Sequence, residues 1–508
     1  MNVFLMFRDK DFDEQVQLPW NQKALEQDLE LQVIYEAMAG KDDFMLKVVK
    51  KAVLLSLLDV QAIRYRQGIL RDCLRNPQVI HELYDISLQA IKRRRESWFG
   101  GYSRYYPSSI LHSSVELLHS FTELLRRLRL IAEKNSTAFH SEGFRSLFAM
   151  FRRELSEEYL ALVLNHLGEL RFSRGALLSA RLGEGNKGTE YELRRPNPKE
   201  AWLRRFFRKA PASSTFRIAD RDEGGARALS DIKGEGINRA ANALAQSAEH
   251  IVSFFDMLRT ELAFYIGCLN LHEALRSKGQ PVCLPEAVEA GTRAHAFQGL
   301  YDAPLALTMD GQAIGSEVEA DRKELVFITG ANQGGKSTFL RSIGVAQVLM
   351  QCGLFVPAVF FRANICSGLF THYARKEDAA MRSGKFDEEL GRMSEIVDHI
   401  RGNSLVLFNE SFSATNEREG SEIARQIVAA LLDKRVKVFF VTHMYELARG
   451  FYEGNTYASM FLRAGRREDG TRTFKISEGE PLQTSHGRDL YERVFAAEGR
   501  ELARSAQT

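Results

Sequence analysis

Cysteine is scarce in this chain. Five occur in 508 residues, Cys73, Cys268, Cys283, Cys352 and Cys366, an odd and scattered set with no C-x-x-C pair. That excludes a disulfide scaffold and a zinc framework, and it fits a reducing cytoplasm in which the thiols serve as small buried hydrophobes. Long apolar runs are missing too. No stretch approaches the roughly 18 residues of a membrane span. The opening MNVFLMFRDKDFDEQ has too short an apolar patch, and no basic flank, for a secretion signal. A soluble, cytoplasmic protein with no membrane partner is expected. Charge of one sign is also lacking: 69 basic against 66 acidic residues leave a net +3. Overall charge therefore neither argues for nor excludes nucleic acid, and local clusters must decide. No internal repeat and no low-complexity tract occurs.

What is present is an ordinary globular composition, 44% hydrophobic and 27% charged, at a length that predicts roughly two to four domains. The first half reads as helix. In AEHIVSFFDMLRTELAFYIGCLNLHEALRSKG, Ile251, Phe254, Phe255, Leu258, Leu262, Tyr265, Ile266 and Leu269 fall at three- and four-residue steps and build one apolar face. Gly279 followed by Pro281 is a helix stop. The segment from Arg174 to Pro198 breaks this pattern with short β-like runs around a Gly-Asn-Lys-Gly turn, which predicts a hairpin. After Pro281, Pro285 and Pro304 the pattern changes. ELVFIT, SLVLFN and VKVFFVT are short apolar runs, each followed by a polar turn and a helical stretch, the signature of buried parallel strands. The expected organisation is a short N-terminal segment (1–40) and a mainly α-helical region (41–280) with a hairpin insertion at about 170–230. A linker (281–310) and an α/β domain (311–508) follow.

The strongest motif is TGANQGGKST, Thr329 to Thr338, which fits G-x-x-x-x-G-K-[ST] between a strand and a helix. Gly330, Ala331, Asn332, Gln333, Gly334 and Gly335 would turn the backbone so that its N–H groups and the helix N-terminus face phosphates. Lys336 supplies a point charge for the β- and γ-phosphates, Ser337 offers a hydroxyl to Mg²⁺, and Thr338 completes the run. A second strand, LVLFNE, ends in Asn409 and Glu410, where such a site usually carries two acids. Glu410 can polarise the attacking water. Asn409 can accept a hydrogen bond from a Mg²⁺-bound water but brings no negative charge. A third strand, VKVFFVT, ends in Thr442 and His443; a histidine there can sense the γ-phosphate or orient the water, or be merely structural. ATP and Mg²⁺ are the expected ligands, with Ser337 and Asn409 (through water) toward the metal and Glu410 and His443 as catalytic candidates.

Taken together, these stretches resemble the ATPase domain of the MutS DNA mismatch repair proteins. The likeness runs through TGANQGGKSTFLRSIGVAQVLMQCGLFVPA, VTHMYEL and TFKISEGEPLQTSHGRDL, and more loosely through NESFSATNEREGSEIA. Upstream, DVQAIRYRQGILRDCLRNP resembles the segment that opens the family's helical core. The resemblance implies that the multidomain chain has a mainly α-helical core or lever region at 41–280 followed by an α/β P-loop ATPase domain of ABC type at 311–508. It implies a DNA-binding ATPase that dimerises through its ATPase domains and closes helical arms around DNA. With only a short segment ahead of the helical region, the family's mismatch-reading and connector domains are expected to be missing, which implies a mismatch-independent repair or recombination role. The family completes each ATP site with a serine-containing loop of the opposite subunit. Here the matching stretch, EDAAMRSGKFDEEL, offers Ser383 and Lys385 for that trans role, with Phe386 and Glu389 fitting the family pattern.

Two basic clusters with neighbouring aromatics suit phosphate contact with some stacking: Arg93, Arg94 and Arg95 in IKRRRESWFGGYSRYY, and Arg204 and Arg205 in LRRFFRKAPASSTFR. Each is equally readable as a solvated helix face. Lys187 sits at the predicted hairpin turn, where a small DNA clamp would be placed. The expected partners are duplex or branched DNA, a second copy of the chain, and a repair or recombination protein. The rival reading is a nucleotide-binding scaffold in which Asn409 makes turnover negligible and binding alone sets conformation for a protein partner. A transporter ATPase is a poor third, since no Leu-Ser-Gly-Gly-Gln signature precedes SLVLFNE.

Overall fold

The three- and four-residue apolar periodicity of the first half closes into helices packed on aromatic side chains. In the computed structural model the described residues are 1–98, 106–173, 175–195, 214–330, 333–375, 384–467 and 471–481. They divide into two units. The first unit comprises Met1–Val3, Gln78–His140 and Phe144–Leu262. Its helices include Pro107–Asn135, Glu157–Leu170 and most of Glu223–Ser277. Ser156 caps the second of these by accepting the Tyr159 N–H (3.2 Å), and Glu157 and Glu158 complement the positive end of its dipole. Phe121 packs on Phe255 (5.7 Å between centroids), Phe139 on Phe144 (4.7 Å) and Phe151 on Phe254 (6.0 Å). The 55-residue helix Glu223–Ser277 spans about 80 Å, and its residues from Ala263 onward belong to the second unit. Strands β1 (Leu177–Leu182) and β2 (Gly188–Arg194) pair antiparallel as a hairpin.

The second unit joins Phe4–Pro77, Ser141–Gly143 and Ala263 onward. A four-stranded sheet is built from β3 (Glu286–Val288), β4 (His295–Leu300), β5 (Ser316–Glu319) and β7 (Phe360–Asn364), in the order β3-β7-β4-β5. A six-stranded sheet holds β6 (Leu325–Thr329), β8 (Leu369–Tyr373), β9 (Leu405–Asn409), β10 (Lys437–Val441), β11 (Ser459–Arg466) and β12 (Arg472–Glu478). Its order is β12-β11-β6-β10-β9-β8, parallel throughout except for β12. The continuous apolar runs are buried on both faces, as parallel strands require. Phe408 stacks on Phe440 (4.9 Å) and Phe327 on Phe440 and Phe461 (5.6 and 5.7 Å), so neighbouring strands share one aromatic layer.

The units divide the chain at 77/78 and 262/263, whereas composition pointed to 280 and 310. Residues 281–310, read from the sequence as a linker, instead carry β3, β4 and the helix Ala303–Thr308. Pro304 lies in the first turn of that helix, where a missing N–H costs nothing, so it marks a helix start rather than a flexible joint. The N-terminal residues enter the second unit through Arg66 of the helix Val60–Arg75. Its fully buried guanidinium donates from Nε and Nη2 to the Met6 carbonyl (3.2 and 3.1 Å) and from Nη1 to the Cys352 carbonyl (2.9 Å), just past the helix Lys336–Gln351. Gln67 beside it donates to the Pro285 carbonyl (3.0 Å).

Candidate active site

Strand order and register bring the three motifs to one edge. β10 lies between β6 and β9, and Val441 is level with both Ile328 and Asn409. The residues that follow each strand, Gly330, Glu410 and His443, therefore emerge together at the carboxyl ends, where open parallel sheets place ligands. The Glu410 N–H donates to the Val441 carbonyl (2.9 Å), and the Thr442 N–H to Ile328 (3.2 Å).

The glycine-rich loop needs its glycines. Gly330 has φ +114°, and a Cβ there would lie 3.1 Å from the Ala464 nitrogen; Gly335, at φ +88°, caps the helix Lys336–Gln351. Gln333 also stands in the left-handed region, at φ 57°, and its side-chain oxygen accepts from Arg472 Nη1 (2.7 Å). Lys336 is 4% exposed. Its Nζ donates to the Gly330 carbonyl (2.9 Å) and stands 3.4 Å from His443 Nε2. Burial pulls its pKa down to about 8, against the opposing pull of Glu410. The Ser337 hydroxyl donates to Asn409 Oδ1 (3.0 Å).

Glu410 Oε1 is 2.9 Å from His443 Nε2. Because the Glu410 carboxylate can only accept, this contact puts a proton on His443 Nε2, donated to Glu410, and leaves the donor-only Lys336 ammonium a neighbour of that nitrogen rather than its hydrogen-bond partner. That bond is the first cause holding the Glu410 carboxyl below its ordinary range; the charges of Lys336 and Lys385 help, and partial burial opposes. Glu410 has φ 55° and Phe412 φ 64°, two non-glycine residues in the left-handed region within three positions. Each such residue costs on the order of 1–3 kcal/mol and persists only where its surroundings enforce it.

A cavity of about 440 Å³ opens over this edge. Its lining combines the loop from Gln333 to Thr338 and Glu410 with the apolar side chains of Tyr301, Leu305, Met309, Ile314 and Phe474, and Phe474 lies against Gly335 of the loop itself. Charged groups, backbone N–H groups and apolar side chains thus line one cavity, the mixture that the phosphates and base of a nucleotide call for. Sequence reasoning missed these apolar residues, since no local pattern marks them: only the fold brings Ile314, in the loop before β5, and Phe474, in the edge strand β12, to the cavity. It also missed Asp302, whose Oδ1 caps the helix Ala303–Thr308 by accepting the Leu305 N–H (2.9 Å) while Oδ2 pairs with Arg341 of the loop's own helix (2.5 Å). Arg341 also pairs with Glu30.

Gly330, Gln333, Gly334, Gly335, Lys336, Ser337, Thr338, Asn409, Glu410 and His443 are thus gathered at one edge. Ala331, Asn332, Ser383, Arg204 and Arg205 lie outside the described residues, as does the stretch TSHGRDL. Lys385 opens the helix Lys385–His399, and its charge acts on Glu410 of its own chain, where the trans reading would have aimed it at a second copy. Arg93 is held by Glu123 (3.1 Å) and the Ser120 carbonyl (2.6 Å), and Arg94 by Glu249 (3.1 Å) and Asp256 (3.5 Å). Their charges are neutralised within the first unit, so they are poorer phosphate contacts than the run of arginines implied. Arg95 and Lys187 are exposed. Among the described residues no cluster of three or more His, Cys, Asp or Glu is placed to hold a metal, and no helix is long and apolar enough to cross a membrane.

Comparison with known proteins matches two family descriptions. The MutS2 N-terminal domain matches residues 58–278, and MutS domain V matches residues 326–494. A DNA mismatch repair protein MutS of Clostridium botulinum (strain Eklund 17B / Type B) is 35% identical over 130 residues, 25% of this chain and 14% of that protein. Its counterpart in Clostridium kluyveri is 28% identical over 172 residues, 33% of this chain and 20% of that protein. The one in Nostoc punctiforme is 34% identical over 128 residues, 25% of this chain and 14% of that protein. The matched stretches thus span between 14% and 20% of these relatives' own length.

Proposed function

The chain belongs to the MutS family, and from that premise we propose that it is a slow ATP hydrolase that couples its nucleotide state to engagement of DNA. The observation that carries this reading is that His443 stands 2.9 Å from Glu410 and 3.4 Å from Lys336, with Ser337 bonded to Asn409, beside a cavity lined by both charged and apolar groups. Residues 311–508 are read as a P-loop ATPase domain of ABC type, and the helices within 41–280 as the core and lever region. The triphosphate lies along the loop Gly330–Thr338 with Lys336 on its outer phosphates, and the base lies against Leu305, Met309, Ile314 and Phe474. Glu410 accepts the hydrogen bond of the attacking water, and His443, donating to Glu410 from Nε2, keeps that carboxylate ionised and oriented.

Ser337 Oγ and Asn409 Oδ1 are hard oxygen donors of the kind Mg²⁺ takes, so these residues fit the ion, Asn409 through a water. When bound, the ion neutralises charge on the phosphates. The Asn409 amide adds no negative charge, so both affinity for Mg²⁺ and turnover should be modest.

Asn409 also favours the second reading, a nucleotide-binding scaffold with negligible hydrolysis. Steady-state ATPase rates of the wild type, Asn409→Asp and Glu410→Ala decide between the two. The hydrolase reading expects Glu410→Ala to lose at least tenfold and Asn409→Asp to gain activity at low Mg²⁺. A wild type as slow as Glu410→Ala establishes the scaffold.

The relatives' name, DNA mismatch repair protein, supports DNA as the partner. We read the role as mismatch-independent, with helical arms closing on duplex or branched DNA in a homodimer joined through the ATPase domains. Of the basic candidates among the described residues, Arg95 and Lys187 are the ones exposed to phosphates. Binding to duplex, mismatched, forked and four-way DNA, with and without ATP across a salt series, tests this: a steep salt slope is expected. Absence of binding at low salt removes DNA from the account.

A further inference from the structure

Glu410 leaves β9 through a turn that its own sequence does not favour. Glu410 and Phe412 both hold left-handed backbone angles, and neither is a glycine. The turn is held from outside, by Glu389 of the stretch EDAAMRSGKFDEEL and by His372 of β8. The Phe412 N–H donates to Glu389 Oε2 (2.7 Å). The Ser411 hydroxyl donates to the His372 carbonyl (2.5 Å), and His372 Nδ1 lies 2.7 Å from the same oxygen. His372 Nε2 closes the ring at 2.9 Å from the Glu389 carbonyl. The Phe412 ring lies flat on the His372 imidazole, centroids 5.2 Å apart at 18°. Glu389 is 1% exposed, and His372, Ser411 and Phe412 are fully buried.

A buried carboxylate is an expensive way to satisfy one backbone N–H, since a neutral acceptor avoids most of the desolvation. What it gains is a charge-assisted bond of about twice the strength of a neutral one, directed at one amide. That amide closes the turn two residues beyond the group that faces the reacting water. From these contacts we infer that Glu389 is a positioning residue for Glu410. Its carboxylate, on the helix Lys385–His399, locks the Glu410–Phe412 turn from below, with the Ser411–His372 pair as the second clamp. Without the lock, Glu410 relaxes out of the left-handed region and leaves both His443 and the water. The glycine-rich loop and Lys336 have no part in this network, so nucleotide binding stands apart from it.

This inference rests on Glu410 acting as proposed above, and the test separates the two. Amide hydrogen exchange is compared in wild type, Glu389→Ala and Glu389→Gln, together with ATPase kinetics and the affinity for a fluorescent ATP analogue. Glu389→Ala should exchange the Glu410–Phe412 amides at least tenfold faster, with the Leu325–Leu340 segment unchanged. Its kcat should fall at least tenfold with KM and analogue affinity within twofold of wild type. Glu389→Gln keeps an oxygen for the Phe412 N–H and should recover at least a third of the lost rate. Exchange unchanged in Glu389→Ala overturns the inference whether or not the wild type hydrolyses ATP. Faster exchange with kcat unchanged, or with affinity falling in step with kcat, overturns it as well. A wild type that binds the analogue without turnover overturns the hydrolase reading alone, and exchange then decides the role of Glu389. If Glu389→Ala does not fold, Ser411→Ala carries the same measurements by removing the second clamp.

Discussion

Lys336 shows how one residue can be legible in sequence while its chemistry is not. Its candidacy as a phosphate ligand follows from seven neighbours in the chain. Its pKa of about 8 follows from burial beneath the loop, which no local pattern encodes. Phosphates favour the ammonium form, so ATP affinity should be flat below pH 8 and weaken above it, where binding must take up a proton. Lys336→Ala should lose about tenfold to a hundredfold in affinity, the worth of a charge-assisted contact, and should flatten that pH dependence. Titrations with an ATP analogue at pH 7 and pH 9 check both; a variant with the wild-type pH profile would show that another group titrates. Glu389 is the opposite case. Nothing within its own helix hints at Phe412, 23 positions away, and its role becomes visible only when a buried carboxylate is found on a strained amide.

At the scale of elements, β10 carries a group that its apolar pattern left unexplained. Lys437 opens the strand at 4% exposure. Its ammonium is shared among the carbonyls of Arg293 (3.2 Å) and Ala294 (3.3 Å) and Asn364 Oδ1 (3.1 Å), joining the two sheets through neutral acceptors only. Burial, then the Arg293 charge, pushes its pKa down to about 7. The unfolded lysine stays protonated to about pH 10.4. Below pH 7 both states carry the charge and the native state bears its burial cost. Between pH 7 and about 10 the native state has released the proton and the unfolded state has not, so stability rises with pH by roughly 1.4 kcal/mol per unit from this group. Relative to Lys437→Met, whatever the offset from the acceptors left behind, the wild type should gain on that slope. Chemical denaturation of both proteins at pH 6, 8 and 9 measures it, and an offset independent of pH would assign the lysine an ordinary pKa. The strands themselves were readable because continuous apolar runs are local. Residues 281–310 were not, because short strands and a one-turn helix flanked by prolines carry too few periods to register.

For the molecule as a whole, the unexpected feature is that Phe4–Pro77 belongs with the unit that holds the glycine-rich loop. Arg66 is the side chain that commits it, by donating to carbonyls of Met6 and Cys352 that lie 60 and 286 positions away. Arg66→Met would leave both carbonyls buried without that donor, at a cost of at least about 3 kcal/mol. Guanidinium unfolding followed by tryptophan fluorescence and by circular dichroism should show the loss. A shift below roughly 1 kcal/mol would mean that apolar packing alone holds the N-terminal helices.

The chain by itself determined whatever depends on neighbours within a few positions: the glycine loop and its lysine, the strand-end residues Asn409, Glu410 and His443, the helical periodicity of the first half and the hairpin near Gly185. Tertiary structure alone decided what depends on residues far apart in the chain. It set the order of β6, β10 and β9 that brings three strand ends to one edge, and the apolar side chains that share the cavity with the loop. It also set the ion pairs that occupy Arg93 and Arg94, and the buried lock beneath Glu410. The physical reason is the same throughout. Backbone torsions and periodicity are local quantities, whereas burial, and with it every shifted pKa and enforced torsion at the site, belongs to whichever distant segments exclude the water.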